Sequence, residues 1–134
     1  SPDRVEVLAL LEHLTPLATR LVSQAEELVR LTAKRPLPIQ RIQELHQHEN
    51  SARQALVALS LQSPATASLA VALVRDTHND DGQGLTDMAQ SRLASYRRWQ
   101  KRLLLVASSF RSFNTPQGVV ASTQGRPLSM VRSA

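Results

Sequence analysis

A chain of 134 residues that is 42% hydrophobic but only 3% aromatic can fill one domain, with a core built from Leu, Val, Ile and Ala. It has no cysteine, which excludes disulfides, thiol nucleophiles and cysteine zinc sites, and no apolar run approaching the ~20 residues that span a bilayer. The net charge of +5 is unevenly held: residues 1–87 carry eight basic and eleven acidic side chains, and residues 88–134 carry eight basic and no acidic ones. A mildly acidic body with a basic C-terminal third implies an anionic partner: nucleic acid, a membrane surface or an acidic protein. The start, SPDRVEVLALLEHL, lacks a basic segment ahead of an apolar block, so no signal peptide is expected.

The first segment predicts one long amphipathic helix. Val7, Leu11, Leu14, Ala18, Leu21, Ala25 and Leu28 follow alternating steps of four and three, and Leu10, Leu17, Val22, Val29 and Leu31 broaden the stripe. Pro2 and Asp3 suit its first turn. Pro16, inside the pattern, predicts a kink or local break, and the end is expected at Lys34-Arg35, before Pro36 and Pro38.

A second helix follows through Ile42, Leu45, Ala52, Leu56 and Leu59, antiparallel to the first because the link is short. Gln62-Ser63-Pro64 closes it, with Ser63 placed to cap the next helix. Glu49 occupies a position in this apolar series. Either it meets an arginine across the seam and sets register, or it lies at the edge of a slightly rotated helix and reaches water, the reading the pattern favours.

Beyond Pro64, PATASLAVALVRDTH and LTDMAQSRLASYRRWQKRLLLVASSF are both helical by composition, separated by NDDGQG. Local rules read Asp-Gly and the second Gly as a turn. Helical phase carried back from Leu85 lands on His78, Val74 and Val71, and favours one continuous third helix, interrupted at most near 79–84. The expected fold is therefore all-α: an antiparallel bundle of three long amphipathic helices over residues 1–113. A flexible tail over 114–134 is expected to follow, because Asn114-Thr115-Pro116 stops the helix.

Chemistry is hard to find along this chain. GQG lacks the lysine and the preceding strand of a phosphate loop. His46 and His48 are two apart and diverge on a helix, so no metal site is expected there. Asp76, Asp80, Asp81 and Asp87 read as solvated charge, and no nucleophile elbow accompanies a histidine and an acid. No catalytic residue, metal or cofactor is assigned, and the chain is read as a non-enzyme.

Two stretches suggest binding. In SYRRWQKRLLLV, basic residues alternate with Tyr96 and Trp99, a pattern that can track a phosphate backbone and stack bases. Yet Tyr96, Trp99, Leu103, Val106 and Phe110 recur at three- and four-residue steps, which marks a core or partner-facing stripe. The tail is largely polar but carries Phe113, Val119, Val120, Leu128, Met130 and Val131, the anchored pattern of segments that fold on a partner.

Three helices, then a tail with an aromatic, a Gly five residues on and a later Gly-Arg-x-Leu, resemble the FlgN-type flagellar export chaperones. The matching residues are Phe113, Gly118, Gly125, Arg126 and Leu128, with Ile42, Leu45, Ala52 and Leu56 in the second helix. Glu49 stands where that family usually has Lys, and Phe113 where it usually has Tyr; Asp81-Gly82 before Leu85 resembles an Asn-Gly inside the family's long last helix. The resemblance implies a cytoplasmic, non-enzymatic chaperone that binds the C-terminal helices of hook–filament junction proteins (FlgK- and FlgL-like). It would keep them from assembling early and bring them to the type III export gate. On that reading Tyr96, Trp99, Leu103, Val106, Phe110, Val119 and Val120 face cargo, and Phe113 contacts the gate. A basic nucleic-acid-binding module and a structural coiled-coil oligomer are the alternatives.

Overall fold

The computed structural model describes residues 2–77 and 84–113. Within them the fold is all-α, without strands: α1 (Pro2–Thr32), α2 (Ile39–Ser60), α3 (Pro64–Thr77) and α4 (Leu85–Phe113). No helix among these is long and apolar enough to cross a membrane.

All seven residues of the α1 stripe are buried, each leucine contributing about 1.5–3 kcal/mol relative to exposure. Of the kink or local break expected at Pro16, the break is not formed: α1 runs through it. Pro16 lies on the exposed face, so the backbone bond it removes is lost on the solvent side rather than against the core. Thr15, beside it, donates its hydroxyl to the Leu11 carbonyl at 2.9 Å. The helix ends at Thr32, slightly early, and Arg35 folds back to donate to the Thr32 carbonyl at 3.0 Å and the Lys34 carbonyl at 2.8 Å. A cation thus meets the negative end of the dipole, as the basic pair suggested.

The α2–α3 link is tied by side chains. The Ser63 hydroxyl accepts from the Ala65 N–H at 3.2 Å, and buried Thr66 donates to the Ser60 carbonyl at 2.7 Å. One bond caps α3 and the other satisfies a carbonyl in the last turn of α2.

The expected continuous third helix is not formed. The Trp99 indole N–H donates to the Leu69 carbonyl at 2.7 Å, and the Ser95 hydroxyl donates to the Asp76 carbonyl at 3.3 Å. In a single helix Leu69 and Trp99 would stand about 45 Å apart. So α3 and α4 are separate and antiparallel, and the bundle has four helices rather than three. The phase match from Leu85 to Val71 was coincidental, while the turn reading of Asp-Gly agrees with the reversal. The first turn of α4 closes with the Met88 N–H on the Gly84 carbonyl at 2.8 Å; residues 78–83 lie outside the described residues.

The helices run up-down-up-down, with α1 and α3 each packed between α2 and α4. The main apolar cluster joins Leu11, Leu14, Leu56, Leu73, Trp99 and Leu103. A smaller one at the far end joins Leu28, Leu31, Ile42, Leu45 and Ala89.

Candidate partner-binding surfaces

The basic-aromatic helix is mostly turned inward. Tyr96, Trp99 and Leu103 are fully buried in the bundle's own core, and Val106 and Phe110 are half-buried against it. The stripe seen in the sequence is therefore covered by α1 and α3, and the first three residues cannot meet a partner helix while the bundle stays closed. The outward side of α4 carries Arg98, Lys101, Arg102, Leu104 and Leu105. Phe113 is the last residue of α4, and its side chain lies outside the described part. So do Gly118, Val119, Val120, Gly125, Arg126 and Leu128.

Glu49 corrects the sequence reading. Its carboxylate is 1% exposed, not at an edge reaching water. Oε2 accepts from Arg53 Nη1 at 2.6 Å, from Arg92 Nη1 at 3.0 Å and from the Tyr96 hydroxyl, while Oε1 lies 3.4 Å from His46 Nδ1. Arg53 also donates to the Tyr96 hydroxyl at 2.8 Å and to the Asn50 side chain. Arg92 crosses from α4 and Arg53 lies one turn along α2, so the carboxylate is held by three donors where two apolar clusters meet. Burial first, and next the Glu49 carboxylate, raises the Tyr96 phenol well above its ordinary pKa. A buried carboxylate so fully paired is an internal structural group.

An unpartnered apolar surface lies on α3. This helix, PATASLAVALVRDT, is apolar nearly all round, a composition expected of a helix enclosed on every side. Leu69, Ala70, Ala72 and Leu73 are buried against the bundle, but Val71 and Val74 are 58% and 51% exposed. Leu61, at the end of α2, is 59% exposed and lines a groove with Val74. Between α2 and α3 an open groove of about 610 Å³ is lined by Arg53, Val57, Ala58, Leu61, Val74 and Thr77. Sequence reasoning missed this surface. Its signal was the excess of apolar positions in SLAVALV, more than one helical face needs.

Two other hollows are present. One of about 190 Å³ is walled by Leu28, Ile42, Leu85, Met88 and Ala89, with Glu49 and Arg92 among its lining. The other, about 500 Å³, lies between the start of α1, the α2–α3 link and Phe110. Among the described residues no group of three or more His, Asp or Glu is placed to hold a metal.

No family model matches this chain, and neither does any curated protein or solved structure. The described residues form an all-α bundle of four helices, with Val71 and Val74 of α3 turned outward.

Proposed function

We propose that this chain is a cytoplasmic, non-enzymatic export chaperone of the FlgN type, binding an amphipathic C-terminal helix of a hook–filament junction protein and delivering it to the export gate. The observation that carries the binding half of this reading is the outward apolar stripe of Leu61, Val71 and Val74 above the α2–α3 groove. A cargo helix laid there would hide its own apolar face and complete the covering that α3 lacks. The delivery half rests on the tail signature of Phe113, Gly118, Gly125, Arg126 and Leu128. The surface for cargo thus moves from the inner stripe of α4 to α3, while Phe113 keeps its proposed role at the gate.

The alternatives have less support. Tyr96 and Trp99 are buried, so a nucleic acid would find cations on α4 but none of the stacking faces that the sequence pattern offered. The stripes of α1, α2 and α4 are used up within one chain, which removes the main motive for a coiled coil between chains.

The test is a titration of the chain with C-terminal helical peptides of junction proteins. Val71→Asp with Val74→Asp should weaken binding by tenfold or more, on the order of the burial lost at two valines. Deleting residues 113–134, and with them Phe113, should abolish recruitment by the export gate. Absence of peptide binding, or binding indifferent to both valines, would sink the cargo assignment.

A further inference from the structure

The residues that rim the α3 stripe point to the charge of whatever covers it. On the α2 side, Arg53 lines the groove and stays 16% exposed while it holds Glu49. Arg53 therefore presents part of its guanidinium to the groove while its Nη1 is held by the Glu49 carboxylate at 2.6 Å. Arg75 is exposed four residues after Val71 and continues the same face of α3. On the α4 side, Arg98 donates to the Ser95 hydroxyl at 3.1 Å, and Ser95 in turn donates to α3 at the Asp76 carbonyl. Arg98 therefore stands at the α3–α4 seam. Arg102, exposed, lies three residues after Trp99 and seven after Ser95, both of which bond α3.

Four arginines thus border one apolar stripe. Asp76 is the only acid on α3, and it is half-buried on the turn that faces α4. Among the described residues Arg75 and Arg102 have no ion-pair partner. The contrast with α1 is direct: Arg97, on the other side of α4, is matched by Glu26 at 2.9 Å. The α1 side of α4 thus carries an internal ion pair, which Arg75 and Arg102 lack among the described residues.

We propose that the α3 face takes an acidic amphipathic helix, its apolar stripe seated on Leu61, Val71 and Val74 and its flanking carboxylates meeting Arg53, Arg75, Arg98 and Arg102. This rests on the helix-docking reading above and adds the chemistry of the partner. Arginine suits the task, since its planar fork pairs with carboxylates and gives up little hydration. Rim charges of this kind set specificity and association rate more than affinity, and salt screens them. A basic helix with the same stripe would meet like charge at Arg75 and Arg102, which have no ion-pair partner among the described residues.

The experiment uses the full chain and three synthetic helical peptides of about 18 residues, five turns long. They share one leucine stripe and differ only in flanks of Glu, Gln or Lys. The Glu peptide should bind on the order of tenfold tighter than the Gln peptide at low salt, and the gap should close at about 0.5 M salt. Arg98→Glu with Arg102→Glu, both on exposed positions, should erase that gap. Equal binding of Glu and Gln peptides, or tighter binding of the Lys peptide, would overturn the acidic assignment while leaving helix docking standing. If no peptide binds, both readings fall together. Binding to phosphatidylserine vesicles in place of the Glu peptide would assign the arginines to lipid and overturn the proposal.

Discussion

Arg92 Nη1 on α4 lies 3.0 Å from Glu49 Oε2 on α2, joining the two helices that face each other diagonally across the bundle. The pair sits where the main core and the smaller distal cluster meet, and Arg53 and Tyr96 complete it. Replacing such a group by apolar residues of equal shape can be neutral, but removing one member leaves buried charge uncompensated. Glu49→Ala should therefore cost about 3–5 kcal/mol, read as a lower midpoint in urea denaturation.

The same network makes stability sensitive to alkali. Tyr96 is the only tyrosine in the chain, and burial with the Glu49 carboxylate raises its pKa in the folded state. The unfolded chain then loses this proton near pH 10 while the folded chain keeps it. The tyrosine contribution to stability is full below about pH 10, and falls by about 1.4 kcal/mol per pH unit above it. Tyrosinate absorbance should appear together with unfolding and not before, and Tyr96→Phe should lose this slope.

Trp99 supplies a second check on the core. It is the single tryptophan, fully buried, and its indole donates to the Leu69 carbonyl. Trp99→Ala should cost about 3–5 kcal/mol, from the cavity and the lost transfer energy. In the wild-type chain its emission should be blue-shifted and should move to the red in the same transition that abolishes helicity.

Ser63→Ala should cost about 1 kcal/mol, through loss of the cap on the Ala65 N–H. Ser63→Gly should cost only a few tenths, since glycine is tolerated at this position. Thermal denaturation of the two variants separates a lost cap from a change in backbone conformation.

Much of the frame was legible because periodicity reports which face of a helix is covered. The α1 stripe, the cap at Ser63 and the cation at the end of α1 all follow from local patterns. Periodicity does not report what does the covering. Tyr96, Trp99 and Leu103 showed the right stripe, but it is α1 and α3 that lie over it. Glu49 was misplaced for a related reason: its partners Arg92 and Tyr96 are 43 and 47 residues away, and only tertiary packing brings them together. Without them, a glutamate in an apolar series looks like one that must reach water. The α3–α4 reversal was lost to phase, since two helices that bury similar faces can match in register across a turn by chance.

The account depends most on the outward face of α3 being a docking surface. Hydrogen exchange along α3, with and without a junction-protein C-terminal helix bound to the full chain, tests this most directly. The account predicts slower exchange from Ala67 to Thr77, abolished by Val71→Asp, with little change along α1. Protection confined to α1 or α4, with α3 unaltered by the bound helix, would contradict it.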